Sequence, residues 1–171
     1  MRHESGVTLL ELVFVLALLA LLASLALPSG QEAAQRQALR TDRVSMQGLL
    51  SLARTEALMR EQDVVICASQ TLENCLVAAE QGASPWPGVL LFLDRNQDRV
   101  FQPEDDLLLR VHSLHPLVQM RWNRQGWITY QPDGTVTGNS NGTLALADVR
   151  GQVQHRLVIA LSGRVRIESL P

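Results

Sequence analysis

Between Val7 and Leu27 the chain runs for 21 residues with a single ionisable side chain, Glu11. As a helix rising about 1.5 Å per residue, this run spans roughly 31 Å, enough to cross a bilayer core of about 30 Å. A carboxylate held in hydrocarbon costs on the order of a few kcal/mol, so Glu11 calls for a partner. The segment before the run, Met1 to Gly6, is short and polar. A secretory signal has an apolar core of about 7–15 residues and a small-residue cleavage site after it. This run is longer, and Pro28-Ser29-Gly30, with nothing like Ala-x-Ala, follows it. A plain signal anchor accounts for the length but leaves Glu11 unexplained.

The remainder reads as one modest domain. The chain has 171 residues and a formal net charge of -2, so a globally basic nucleic-acid binder is not indicated, while a local basic patch stays open. Its two cysteines, Cys67 and Cys75, lie close together. In an exported chain such a pair reads as a disulfide, worth roughly 2–3 kcal/mol; in the cytosol it reads as two free thiols. Pro28 closes the apolar run, since inside a helix it removes a hydrogen bond and kinks the chain. From Gln31 to Gln62 a helix is expected: Leu39, Met46, Leu49, Leu50, Ala53, Ala57 and Leu58 recur at three- and four-residue spacings. Arg36, Arg40, Arg43, Arg54 and Arg60 among them read as a solvated face.

After Gln62 the period shortens to two. The expected strands are Val64–Ala68, Val89–Asp94, Leu107–His112, Val118–Trp122, Trp127–Tyr130, Thr143–Ala147, Val153–Leu161 and Arg164–Glu168, separated by turn residues. The expected fold is α+β: a long N-terminal helix, transmembrane and then amphipathic, packed on an antiparallel β-sheet domain. The divisions are 1–6, 7–27, 28–62 and 63–171.

Gly6-Val7-Thr8-Leu9-Leu10-Glu11 resembles the G-F-T-L-x-E leader of type IV pilins and their relatives, with Val7 where Phe is usual. The resemblance implies a prepilin leader, residues 1–6, that a prepilin peptidase removes after Gly6. It implies N-methylation of Val7 and pairing of Glu11 with the terminal amine of a neighbouring subunit. An amine and a carboxylate in low dielectric attract strongly, and neither is tolerated there alone. Further along, Val64-Val-Ile-Cys67 with Cys75 is similar to the FimT/GspH group of minor pilins and pseudopilins. So are Trp86-Pro-Gly88 through Asp98, Tyr130-Gln-Pro132-Asp-Gly134, and Gly163-Arg164-Val165-Arg166. The group implies a pilin-like fold and a filament subunit, not an enzyme. Its place is the bacterial inner membrane, single-pass, with the C-terminal domain in the periplasm. Its partners are other pilin or pseudopilin subunits.

Arg164 and Arg166 alternate with Val165, so both point to one face, about 6.6 Å apart. Arginine donors suit phosphate oxygens. In FimT-type members this motif is associated with double-stranded DNA captured during uptake for natural transformation. Arg156 and Arg150 are expected to add charge at the same end. The competing role for these arginines is an edge strand whose charge discourages aggregation. The competing role for the whole chain is the tip pseudopilin of type II secretion.

Asp94-x-Asn96-x-Asp98 resembles the start of an EF-hand loop, but Arg99 stands at the glycine position and Asp105 where glutamate belongs, so it reads as a polar connection. His112 and His115 read as surface or loop residues, without a metal role. Trp86, Trp122 and Trp127 read as core. No H-E-x-x-H or phosphate-binding glycine loop is present. No cofactor is expected.

Overall fold

A computed structural model describes residues 8–76, 85–124 and 126–170, and the backbone alone for 23–29. The leader and Val7 lie outside the described residues. Those residues form a helix, α1 (Leu9–Arg60), followed by β1 (Val64–Ala68), β2 (Gly88–Leu93), β3 (Leu107–Ser113), β4 (Gln119–Trp122), β5 (Ile128–Tyr130), β6 (Gly142–Ala147), β7 (Val153–Ile159) and β8 (Val165–Ser169).

Thr8 starts α1: its Oγ1 accepts the Glu11 N–H at 3.3 Å. Thr8-Leu9-Leu10-Glu11 thus has the spacing of a capping box, and Glu11 sits in the helix's first turn, where the dipole favours an acid. The backbone stays helical through Pro28. One missing N–H leaves the rest of the hydrogen-bond ladder in place, so the proline does not end the helix. Glu61 does, with a left-handed φ of 54°. Arg60 in the last turn pairs with Glu56 one turn earlier.

The chain divides into two units, residues 1–37 and Ala38–Pro171. In the first, Leu9, Leu10 and Phe14 are exposed, and Glu32 pairs with Arg36 at 3.8 Å. Among the described residues no helix is long and apolar enough to cross a membrane. The apolar run of the sequence extends beyond them, into Val7 and the side chains of 23–29.

The second unit holds two antiparallel sheets, ordered β3-β2-β1-β5 and β4-β6-β7-β8. One face of α1, carrying Leu39, Met46, Leu50, Ala53 and Ala57, shares a single core with the inward residues of both. Those include Ile66, Leu91, Tyr130, Met120, Leu144, Leu157 and Ile159. The first sheet is covered on its other face too, where Val65, Cys67, Leu90 and Phe92 meet Phe101. This explains why β1 and β2 are unbroken apolar runs, buried at every position. Cys67 and Cys75 are disulfide-bonded with Cα atoms 5.6 Å apart, and Cys75 closes over that second cluster. Trp86 and Trp122 lie in the main core; Trp127 packs on the smaller one.

Two expectations need correction. His112 is not a free surface residue: its Nε2 lies 3.1 Å from Oδ1 of Asp42, a carboxylate only 3% exposed on α1. The other oxygen, Oδ2, accepts the His115 N–H at 3.0 Å. The cause is topological. β3 is the edge strand that runs beside α1, with Arg110, Val111 and His112 facing Ser45, Gly48 and Leu49 across a groove. Nor are all the helix arginines solvated, because Arg43 and Arg54 are half-buried with their Nε atoms enclosed.

Replacing Asp42 by Ala strips the His115 N–H and the His112 ring of their acceptor. We expect the Asp42→Ala variant of the full chain, in detergent, to lose about 2–4 kcal/mol in urea unfolding, with Asp42→Asn intermediate. An unchanged midpoint for Asp42→Ala would show that the carboxylate does not fasten helix to strand.

Candidate functional site: the arginine face of the second sheet

Val165 and Ile167 of β8 pack against the main core, and this fixes the outward side of the strand. Arg164, just before β8, and Arg166 within it are exposed. The turn that presents them is tightly specified. Gly163 has φ 74°, and a Cβ there would lie 2.0 Å from the carbonyl oxygen of Gly134. Gly134, φ 76°, sits under α1, where a Cβ would meet Leu58 at 3.1 Å and Arg54 Nε at 3.2 Å. The Tyr130 hydroxyl donates to the Gly163 carbonyl at 3.4 Å, and the Val136 N–H to that of Leu161 at 3.0 Å. Burial pushes the Tyr130 phenol well above its usual range, against the pull of the nearby Arg54 charge. The Tyr130–Gly134 and Gly163–Ile167 motifs therefore form one contact: two turns pressed together beneath the helix.

The register places the other charges. Arg156 on β7 lies opposite Glu168 on β8, and opposite Ala145 on β6. Ala145 in turn lies opposite Arg121 on β4. A row Arg121–Ala145–Arg156–Glu168 thus crosses the sheet's outer face, with Arg121 and Arg156 about 10 Å apart across two strand spacings. Arg166 lies opposite Val158, beside that row. Its Nη2 donates to Glu168 Oε1 at 2.6 Å, two residues along the same face.

Arg156 therefore shares the face with Arg164 and Arg166. Arg150 does not share their end. It lies in the β6–β7 turn, its N–H bonded to Asp148 at 2.9 Å, six or more residues along β7 from the Gly163 turn, or about 20 Å. An even number of residues along the chain does not make charges neighbours when a hairpin reverses between them. At that far end His155 bonds Ser169, and burial, then the Arg43 and Arg40 guanidinium charges, hold its pKa below the usual range.

Two family models match: type II transport protein GspH over residues 44–163, and the prokaryotic N-terminal methylation motif over residues 1–27. The chain belongs to the GspH family. No curated protein sequence matches it significantly. Among solved structures it is similar to the type IV minor pilin FimU of Pseudomonas aeruginosa PAO1, with 17% identity over 78% of this chain and 91% of that one, TM-score 0.51. It is also similar to the minor pseudopilin EpsH of the Vibrio cholerae type II secretion system, with 13% identity over 78% of this chain and 94% of that one, TM-score 0.55. At these identities the likeness shows the pilin-like fold alone.

The GspH match ends at Gly163, so it takes in the glycine contact and stops short of Arg164 and Arg166. It also contains the acidic β2–β3 loop. Asp94, 2% exposed, accepts the Arg99 N–H at 3.0 Å through Oδ2 while its Oδ1 has no hydrogen-bond partner. Asp106 accepts the N–H groups of Arg95 at 3.1 Å and Gln102 at 2.9 Å. Asp98 accepts those of Val100 at 2.7 Å and the Gln102 side chain at 2.8 Å. Arg99 takes φ 63° where an EF-hand has glycine. These acids satisfy the loop's own backbone. Among the described residues no group of three histidine, cysteine or acidic side chains is placed to hold a metal.

Two outcomes follow from this GspH-type scaffold. Gly163→Ala forces a Cβ onto a backbone oxygen at positive φ, and we expect a loss of about 2–4 kcal/mol in chemical denaturation. Burial raises the Asp94 pKa above 3.8, with Asp106 and Asp98 adding to it against the Arg99 N–H. A raised carboxyl binds more protons folded than unfolded, so its charge subtracts from stability as pH climbs through the window above 3.8. Asp94→Asn keeps the acceptor for Arg99 and is expected to melt above wild type at pH 7, the gap closing below pH 3.8. A variant that melts lower at pH 7 contradicts this.

Proposed function

We propose that the chain is a minor pilin of a type IV pilus whose outer arginine face, led by Arg164 and Arg166, binds double-stranded DNA during uptake for natural transformation. The observation that supports this reading most is the orientation of β8: Val165 and Ile167 are held in the core, so both arginines are presented to solvent on one side. Guanidinium groups in such an array bind phosphates without reading bases.

On this reading a prepilin peptidase cuts after Gly6 and Val7 becomes the methylated N-terminus, supported by the methylation-motif match over residues 1–27. Residues 7–27 cross the bacterial inner membrane once and pair with other pilins through Glu11. Residues 28–62 carry the helix into the body, and the β-rich 63–171 lie in the periplasm, a compartment that suits the Cys67–Cys75 disulfide. The chain acts as a structural subunit without catalysis or cofactor.

A second reading has a specific observation behind it. The matching family model is that of a type II transport protein, and it covers the body up to Gly163. In that case the chain is a pseudopilin H-like tip subunit acting in protein export, and the arginine face meets protein.

Gel shifts of the full chain in non-ionic detergent separate the two. Arg164→Gln with Arg166→Gln is expected to weaken duplex DNA binding and to lower the slope of log affinity against log salt by about two. Equal affinity at low salt for variant and parent refutes the DNA reading. For assembly, Glu11→Val is expected to abolish recovery of the subunit in sheared filaments while the chain stays folded and processed. Normal incorporation would remove Glu11 from the assembly role.

A further inference from the structure

On the outer face of the second sheet, the charges do not stand free. Glu168 reaches Arg166 at 2.6 Å along β8, and the β7–β8 register sets it directly opposite Arg156. Side chains opposite each other in an antiparallel pair have Cβ atoms about 4.5–5.5 Å apart. The carboxylate is therefore bonded to Arg166 and stands across the strands from Arg156, with which it makes no ion pair among the described residues. It is also less exposed than its partner: the Glu168 side chain is 36% exposed and that of Arg166 74%. Across the sheet, Ala145 leaves a low floor between Arg156 and Arg121. Arg164 has no ion-pair partner among the described residues.

We infer that Glu168 is a built-in counter-anion of this face, occupying the Arg156–Arg166 position that a phosphate would take, and that the phosphate track runs across the sheet from Arg166 through Arg156 to Arg121. This rests on the DNA-binding reading above and goes beyond it in two respects. Binding is an exchange of one anion for another at Arg166, and Arg121, distant in sequence, belongs to the track. A phosphate entering between Arg156 and Arg166 must displace the carboxylate, or suffer its repulsion. The surface then holds polyanions, which gain several contacts at once, and disfavours single phosphates, which gain one. Arg164, unpaired and at the end of the track, supplies the first contact.

The test uses full chain in non-ionic detergent and a fluorescent 30-base-pair duplex, titrated from about 50 to 200 mM salt. Glu168→Gln frees the position and is expected to bind more tightly. Its affinity should fall between those salt limits by roughly threefold more than that of wild type, the signature of one fewer anion on the face. Glu104→Gln, on the exposed β2–β3 loop, makes the same change in net charge and is expected to leave both quantities unaltered. Arg121→Gln is expected to weaken binding and lower the salt slope by about one. If Arg164→Gln with Arg166→Gln abolishes binding while Glu168→Gln matches wild type or Glu104→Gln, the DNA reading stands and the counter-anion inference is overturned. If neither wild type nor Glu168→Gln binds the duplex, the DNA reading falls and takes this inference with it. If Glu168→Gln tightens binding and Arg121→Gln leaves it unchanged, the exchange at Arg166 stands and the track's extension to Arg121 is overturned.

Discussion

Removing one stripe of α1 from water is what makes two separate sheets a single body. Among the described residues the sheets β3-β2-β1-β5 and β4-β6-β7-β8 share no ladder; the Trp86–Met120 bridge and the bonds from Tyr130 and Val136 to the β7–β8 turn join them. Each four-stranded sheet must bury its inward face against something. That something is the row Leu39, Met46, Leu50, Ala53, Ala57, where the two alanines let the strands approach closely. At about 25 cal/mol per Å² of apolar surface, covering side chains of this kind outweighs any single hydrogen bond in the domain. Asp42 adds direction to what is otherwise a non-directional attraction. Its two carboxylate oxygens bind His112 and the start of the next loop, so they fix the rotation of the helix against β3.

The same helix sets the arginine face. Leu58 and Arg54 cover Gly134, and the Gly134 carbonyl leaves no room for a side chain on Gly163. The helix thus locates the first turn, the first turn locates the second, and the second aims β8. A disturbance on α1 reaches Arg164 through two glycines. The glycines in the two motifs are explained by packing, and nothing about a ligand is needed to account for them. Their presence in a sequence speaks for the scaffold, and the arginines must be judged on their own geometry.

Much of this was legible beforehand, and the divisions are physical. The strands could be read as short alternating runs or, for β1 and β2, as unbroken apolar runs between turn residues. Val153–Leu161 was read two residues long because Ala160 and Gly163 close the β7–β8 turn through their own hydrogen bonds, which alternation does not reveal. The helix cap at Thr8 was present as Thr-x-x-Glu. His112 was misjudged, since its partner lies 70 residues away and only the position of β3 at the sheet edge brings them together. Arg150 was misplaced because the β7–β8 hairpin reverses between it and Arg164, and Arg121 was overlooked because no local pattern states the strand order β4-β6-β7-β8. Glu168 was different. Arg164, Arg166 and Glu168 have the same parity on one strand, so their sharing of a face was readable from the spacing alone.

That parity decides how strongly the face can act. Four arginines on a chain with net charge -2 make a local patch and no long-range field. Exposed ion pairs are worth about 0–1 kcal/mol, so the Arg166–Glu168 pair contributes little to stability. Little is also needed to break it. A pair that fixes the fold weakly yet consumes a donor has its main effect on what the donor can bind. Each phosphate contact on such a surface carries a modest, salt-dependent gain, and one internal carboxylate cancels a sizeable share of it. On the proposed DNA-binding reading, that balance favours a long polyanion, held through several contacts, over small anions, which gain one.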